Sequence, residues 1–363
     1  MAQTCNDDVL FDIMRRLPAA DLVSSALVCR RWCPTAQSRL YRRICLDTNA
    51  PSFHHLSNML SSDPWLRSLV RDVVIFHRAG SKDHRALFHW LELLPAGSLR
   101  SLRIEQMFIP KPEDLSLLRT PAVRAVQSLS VWPAANFLST ERLEEVLQLG
   151  ALESLSIRIL PYLLARPLTI RAPLRLRALS IDAPAHCPTV SALLAALDPA
   201  RCTRLALVTN TLACAPAAAL AHDLRHLLPR LRHLALHPRQ ARADAPLLDA
   251  LVPAMPALRT LACGGGTCSA DVLARLPPAF ETLTLVASTR EPFPDAAFAK
   301  ALRAAPVPQS MRTLAVVDVS GRWASMCCSD KDELESACAS RGIAFEVVEK
   351  GSCEPLFFES FGR

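Results

Sequence analysis

Histidine and aspartate residues near the middle of the chain have spacings that would suit metal-dependent hydrolysis. His222 and Asp223 are adjacent, with His186 upstream and Asp244 downstream. Two histidines and two aspartates can together hold one catalytic metal ion, provided that all four side chains converge. We expect no such site, because the repeats described below place His186 and Asp244 in different structural units.

Zinc binding and cysteine nucleophilicity are the other chemistries that residue spacing suggests. His222 and His226, spaced i, i+4, would need a third ligand such as His233 or Cys214, and an ordinary, partly exposed helix surface is the much better explanation of the pair. Cys29 and Cys33, and the adjacent Cys327 and Cys328, have no base or orienting carboxylate nearby in sequence. We therefore propose neither a metal site nor a nucleophile.

The sequence also lacks the common short motifs for nucleotide binding, serine hydrolysis and zinc-dependent proteolysis. The chain has only ten glycines and contains no G-x-x-x-x-G-K-S/T, G-x-S-x-G or H-E-x-x-H motif. The run Gly264-Gly265-Gly266 lacks a following lysine and is better explained as a turn between repeats. We expect a non-catalytic protein without a cofactor.

Composition places the chain among folded proteins of a reducing compartment. Half of its 363 residues are hydrophobic, and no apolar run is long enough to predict a membrane span. The first residues lack the features of a secretory signal, and the thirteen cysteines show no C-x-x-C pair, so we expect free thiols and an intracellular location, cytoplasmic or nuclear. The net charge of +7 divides into +11 for residues 1–329 and −4 for residues 330–363.

A six-residue pattern recurs through most of the chain: an apolar residue, two variable residues, leucine, a variable residue and another apolar residue. Its nine central leucines are Leu102, Leu129, Leu155, Leu179, Leu205, Leu234, Leu261, Leu283 and Leu314. They span 212 residues in eight steps, an average of 26.5 residues per step. This spacing resembles that of leucine-rich repeats, although the consensus asparagine after the strand is mostly missing.

Each repeat contains two hydrophobic periods. The Leu-x-Leu core predicts a strand, whereas the segments between the strands have helical periodicity. Predicted helical stripes are Leu143, Val146 and Leu147; Leu220, Leu224, Leu227 and Leu228; and Leu247, Leu248, Leu251 and Val252. Because one such unit cannot bury its apolar face alone, the repeats predict an α/β solenoid: a leucine-rich-repeat arc with parallel strands on the concave side and helices on the convex side.

Weaker copies of the pattern flank this array. They are the segment from Val70 to Ile75 and, after a predicted helix from Asp330 to Arg341, the segment from Ile343 to Val347. We expect both to be terminal repeats. The predicted domains are therefore a helical module at 1–46, the repeat solenoid with its caps at 47–348 and a C-terminal tail at 349–363.

The first 46 residues lack the repeat and predict a small all-α module. A first helix runs from its cap at Asn6 to Pro18, which ends it, and a second is predicted from Ala20 to Gln37. The second helix has more apolar residues than one face can hide. A helical pair of this size cannot bury enough surface to stand alone, so we expect it to dock on the solenoid and on a partner.

This module resembles an F-box. The residues that carry the resemblance are Leu17-Pro18, Asp21-Leu22 and Val28-Cys29-Arg30-Arg31-Trp32, while Cys5-Asn6 and Tyr41 depart from the family pattern. The resemblance implies that the module binds a Skp-type adaptor and, through it, the cullin of an SCF ubiquitin ligase. The residues expected to contact the adaptor are Leu10, Ile13, Leu17, Pro18, Leu22, Val28, Cys29 and Trp32. The repeats would then recruit the target protein.

Arginines line one edge of the predicted sheet. The residue two positions before the central leucine is arginine in five of the nine repeats, including Arg177, Arg232 and Arg259. The middle residue of Leu-x-Leu is mostly serine or alanine, which predicts a shallow floor beside a basic rim. We expect these three arginines to contact an acidic or phosphorylated segment of the target. Codon bias towards arginine explains the same pattern without any binding role.

Two functions therefore remain open on the sequence. The first is a substrate receptor of an SCF-type ligase. The second is an interaction scaffold unrelated to ubiquitin, in which the basic arc engages an acidic protein or, less favoured because lysine is scarce, a nucleic acid.

Overall fold

A computed structural model describes most of the chain, which divides into two compact units, Met1–Leu152 and Glu153–Arg363. The described residues are 7–48, 50–76, 89–105, 119–132, 140–159, 168–183, 187–209, 214–238, 246–264, 266–287, 295–318 and 328–349.

Three short helices open the first unit. They are α1 (Asp7–Arg16), α2 (Ala19–Val28) and α3 (Trp32–Leu40). The prediction of one continuous helix from Ala20 to Gln37 is wrong: Cys29 adopts an extended conformation, with φ −160° and ψ 162°, and ends α2. This break allows α2 and α3 to apply one face each to a common core, which a straight helix cannot do.

The rest of the first unit is a four-stranded parallel sheet with helices between its strands. Its strands are β1 (Arg43–Asp47), β2 (Asp72–Phe76), β3 (Ser101–Glu105) and β4 (Ser128–Trp132), and its further helices are α4 (Ser52–Ser62), α5 (Pro64–Leu69) and α6 (Pro121–Arg124), followed by α7 (Thr140–Leu147). Strands that follow one another in sequence are neighbours in the sheet. The side chain of Asp63 accepts hydrogen bonds from the Trp65 and Leu66 amides and caps α5.

The second unit continues the same alternation of strand and helix. Its parallel strands are β5 (Ser154–Arg158), β6 (Ala178–Ala183), β7 (Arg204–Thr209), β8 (His233–Pro238), β9 (Thr260–Gly264), β10 (Thr282–Ala287), β11 (Thr313–Asp318) and β12 (Ala344–Glu349). Its helices are α8 (Pro188–Ala195), α9 (Cys214–Leu224), α10 (Leu247–Leu251), α11 (Asp295–Ala304) and α12 (Cys328–Ser340), with 3-10 turns at Leu228–Arg230, Val252–Ala254 and Ala270–Arg275.

The central leucines of the repeats lie in register and form the core. Leu234 pairs with Leu205 on one side and with Leu261 on the other, and all three side chains are buried. Since strand residues alternate between faces, the residues flanking each leucine point to the opposite face of the sheet. Phe280 and Phe298 fill the space between strands and helices and are fully buried.

All nine strands that the repeat pattern predicts are present, and both flanking copies form strands, β2 and β12. The α/β repeat fold with a preceding helical module is therefore confirmed. The first strand, β1, was not predicted, because Ile44 and Leu46 lie in a segment that we expected to end the helical module. The predicted turn at the glycine run is also present: Gly266 has a φ of 70°, and the Thr267 amide donates to the Gly264 carbonyl. Within the described ranges, no helix has the length and apolar character needed to cross a membrane.

Candidate functional site

The helical module has a small core of its own. Leu10 and Met14 from α1, Leu22 from α2 and Ala36 from α3 are buried together, with at most 5% of each side chain exposed. Leu17, Ala26, Trp32 and Leu40 pack against this cluster and are partly buried. The guanidinium of Arg39 also donates to the carbonyl of Arg15 and joins α3 to the end of α1.

A second set of apolar side chains in the same module faces away from this core. Its members are Val9, Phe11 and Ile13 on α1 and Val23, Leu27 and Val28 on α2; we call them the exposed apolar set. Leu27 is 84% exposed and Val28 63% exposed. Val23 and Leu27 are spaced i, i+4 and so share one face of α2. Large apolar side chains collected on one small module are typical of a protein interaction site.

Burial separates the predicted adaptor residues into two groups. Ile13, Pro18, Val28 and Cys29 are exposed, as a contact residue must be before its partner binds. Leu10 and Leu22 lie instead in the core of the module, and Leu17 and Trp32 pack against that core. Leu10 and Leu22 are thus placed to support the surface from within, and the adaptor contacts of all eight residues stay a prediction.

Sequence reasoning did not single out the exposed residues Val9, Phe11, Val23 and Leu27, and the apolar excess on the second helix was a signal for Val23 and Leu27 only. That excess shows that two faces must be covered. It does not show which residues lie on which face, because α2 ends at Val28 instead of continuing.

The predicted arginine edge contains ion pairs. Nε of Arg177 lies 3.4 Å from the Glu153 carboxylate, and Nη1 of Arg259 lies 3.0 Å from the Glu281 carboxylate. Each pair joins neighbouring repeats, and both are largely exposed to solvent, where such pairs contribute only about 0–1 kcal/mol. No described residue makes an ion pair with Arg232, and the predicted contact role of these arginines stays a prediction.

Arg204 and His233 lie together on the face of the sheet opposite the leucine core, and Arg232 and Arg259 lie nearby, just before β8 and β9. Arg204 and His233 are direct partners in β7 and β8, and Nδ1 of His233 lies 2.8 Å from Oγ1 of Thr260. Burial first, and then the charges of Arg204, Arg232 and Arg259, lower the pKa of His233 to about 4. Arg204 was not predicted as a site residue; its place directly before the leucine of β7, and hence on the face opposite the leucine core, was the available signal.

The lowered pKa of His233 predicts a pH-dependent stability. Above about pH 6.5 the imidazole is neutral in both the folded and the unfolded chain and contributes nothing to the pH dependence. Between about pH 6.5 and pH 4 the unfolded chain binds a proton that the folded chain does not, so the free energy of unfolding falls with acidification. We expect His233→Gln to remove this component, measured as a smaller loss of urea resistance between about pH 7 and pH 4.5. Parallel losses in both proteins would contradict the assignment.

The metal and cysteine chemistries considered above gain no support. His222 and His226 are exposed on and after α9, whereas His186, Asp244 and Cys327 lie outside the described residues. In the described part of the chain, no group of three or more His, Cys, Asp or Glu side chains is placed to hold a metal ion. Cys263 and Cys268 do lie together, with their sulfurs 3.2 Å apart, but their mutual hydrogen bond and burial raise the pKa of Cys263 well above its ordinary value. The thiol form is unreactive as a nucleophile.

Comparison with known proteins assigns the helical module. The F-box-like family model matches residues 7–47, which comprise α1, α2, α3 and β1. No curated protein matches the chain. Among solved structures it is similar to the leucine-rich repeat-containing protein LegL7 from Legionella pneumophila, with 15% identity over 85% of this chain and 91% of that chain and a TM-score of 0.49. It is also similar to TLR13 in a complex with ssRNA13, with 14% identity over 79% of this chain and 44% of that chain and a TM-score of 0.39.

The family match and the regular alternation of parallel strands and helices lead to one conclusion. The chain combines an F-box-like domain at residues 7–47 with repeats of the leucine-rich-repeat type.

Proposed function

We propose that this protein is a substrate-recruiting subunit of an SCF-type ubiquitin ligase. Its F-box-like domain would bind a Skp-type adaptor, and through that adaptor a cullin, while the repeats bind the target protein. The chain itself then needs no catalytic residue, because it brings the target to the ligase. The observation that carries the proposal is the exposed apolar set on a domain that matches the F-box-like family.

The core of the F-box-like domain covers only part of its apolar surface, and a partner can cover the rest. The core of the module hides Leu10, Met14, Leu22 and Ala36, and yet Leu27 and Val28 stay mostly in water. Covering a large apolar side chain contributes about 1.5–3 kcal/mol, so a partner that covers several of them gains a substantial part of its affinity there. An adaptor is such a partner, and F-box domains generally bind Skp-type adaptors.

The repeats supply the proposed target surface. In the second unit, the face opposite the leucine core has a floor of buried alanines, Ala206, Ala235 and Ala262. The arginines near His233 adjoin this floor along β7, β8 and β9. Because these side chains are positively charged, we propose an acidic or phosphorylated segment as the part of the target that binds.

Co-purification tests the proposal directly. We expect the tagged full-length chain to capture both a Skp-type adaptor and a cullin from cells. The cullin should be lost when the adaptor is depleted, because the proposed contact to the cullin is indirect. Capture of protein partners through the repeats without adaptor or cullin would instead establish an interaction scaffold unrelated to ubiquitin.

A further inference from the structure

Three arginines lie near His233 in the second unit. Arg204 is the strand partner of His233, Arg232 precedes His233 in sequence, and the Arg259 amide donates to the Arg232 carbonyl over 2.7 Å. We call Arg204, Arg232 and Arg259 the arginine triad. All three charges lie near enough to the imidazole of His233 to lower its pKa.

The triad has a net charge close to +2. Three guanidinium groups contribute +3, and the Glu281 carboxylate, paired with Arg259, contributes −1. His233 adds nothing near neutral pH, since its pKa is lowered to about 4. Arg232 is exposed and the Arg259 side chain is 48% exposed, so a ligand in water can reach both guanidinium groups.

Buried alanines lie beside the triad. Ala206, Ala235 and Ala262 lie two residues beyond Arg204, His233 and Thr260 on the same face of their strands. Ala206 is 6% exposed, Ala235 0% and Ala262 3%, so a ligand at this point would be held by the guanidinium groups and not by the alanines.

We propose that the arginine triad binds a phosphorylated serine, threonine or tyrosine of the recruited target. This inference rests on the proposed function, because it names the chemistry by which the repeats recognise what they recruit. A phosphoryl group has a charge of about −1.5 to −2 at neutral pH and three acceptor oxygens, which matches a cluster of net +2 with several N–H donors. A single carboxylate supplies half the charge and fewer acceptors.

The charges on either side of the triad favour a single phosphoryl group over a nucleic acid. The triad spans β7 to β9, two strand spacings or about 10 Å. A carboxylate flanks the positive charge of the triad on each side. On one side it is Glu281 of the next repeat, and on the other it is Glu153, which is paired with Arg177. Nucleic-acid binding relies on many phosphate contacts along a backbone, and a backbone that continued along this edge would meet both carboxylates.

The test uses the full chain and a peptide probe. The probe is a glycine–serine peptide with one central phosphoserine, and its comparison peptides have glutamate or unmodified serine at that position. Binding is followed by NMR of isotope-labelled histidines, with His233 assigned from the spectrum of His233→Gln. We expect the phosphoserine peptide to bind at least about tenfold more tightly than either comparison peptide, since charge-assisted hydrogen bonds are the stronger kind. Saturation should raise the pKa of His233, because the bound dianion favours the imidazolium.

Variants assign the binding to the triad. Arg204→Gln and Arg232→Gln should each weaken phosphopeptide binding about tenfold or more. Arg312→Gln is the matched control: Arg312 is exposed and occupies the position of Arg232 and Arg259 in a later repeat, beyond Glu281. It removes the same charge and should change the affinity by less than about twofold.

Three results would overturn the inference: equal binding of the phosphorylated and unmodified peptides, an equal loss with Arg312→Gln, or tighter binding of a short single-stranded RNA that depends on the same arginines. The last result would assign the triad to nucleic acid. Adaptor capture, measured on the same preparations, separates this inference from the proposed function. Phosphopeptide binding without adaptor capture would support the phosphate site and contradict the ligase role. Adaptor capture without phosphopeptide binding would support the ligase role and overturn the phosphate site.

Discussion

Leu27→Asp is expected to abolish capture of a Skp-type adaptor while the F-box-like domain stays folded. Leu27 is 84% exposed on α2, so the free protein loses almost no packing when it is replaced. In the complex the same residue would be covered, and a carboxylate there would be buried without a partner. A loss of binding of about 100-fold or more is the expected size for a residue at the centre of an interface.

The measurement is the affinity of the purified full-length variant for the adaptor, with circular dichroism to verify the helical content. Leu93→Asp is a matched control, since Leu93 is also exposed, at 41%, but lies outside the F-box-like domain. It introduces the same charge at another exposed leucine and should bind the adaptor normally. Full adaptor binding by Leu27→Asp would remove the exposed apolar set from the interface.

Leu22→Asp is expected to abolish adaptor capture for a different reason: it unfolds the domain. Leu22 is only 5% exposed and packs with Leu10, Met14 and Ala36. Burying an isolated carboxylate costs several kcal/mol, a large fraction of the 5–15 kcal/mol that stabilises a typical domain. A core of only four buried side chains stabilises the domain too little to offset this cost.

Limited proteolysis and hydrogen exchange separate this result from a lost contact. Cleavage and exchange should increase throughout α1, α2 and α3 of Leu22→Asp, while the strands of the second unit stay protected. The conservative Leu22→Met should retain both fold and binding, at a cost of less than about 1.5 kcal/mol. A Leu22→Asp protein with a protected domain but no adaptor binding would place Leu22 in the interface after all.

The sequence does not predict which of Leu22 and Leu27 is buried. Both leucines fall in one apolar stretch, and the sequence correctly indicates that this stretch has more apolar surface than one face can bury. Which leucine lies inside depends on the turn at Cys29, which brings α3 and its Ala36 against Leu22. Pro34 favours this break, because inside one continuous helix its ring would clash with a carbonyl of the preceding turn, whereas proline is tolerated in the first turn of α3. The break also lets two helices share one core.

Similar reasoning applies to the arginine edge. The five arginines can be read from the repeat, and their neighbours in the sheet follow from the alignment of the central leucines. The pairing of Arg259 with Glu281 and the combined effect of the three arginines on His233 depend on side-chain positions across the strands. These positions place Arg204, a residue without a special motif, beside the predicted Arg232 and Arg259.

The sequence by itself determined the repeat, the positions of eleven of the twelve described strands, the helical segments between many of them and the resemblance of the first residues to an F-box. These features follow from local periodicity, because backbone geometry makes a strand alternate every two residues and a helix every 3.6. Only the tertiary structure decided where α2 ends, that Ile44 and Leu46 begin the sheet, which apolar residues of the domain stay exposed and which arginines surround His233. Those outcomes depend on contacts between residues far apart in sequence, and such contacts are set by packing and strand register and not by the period of any one segment.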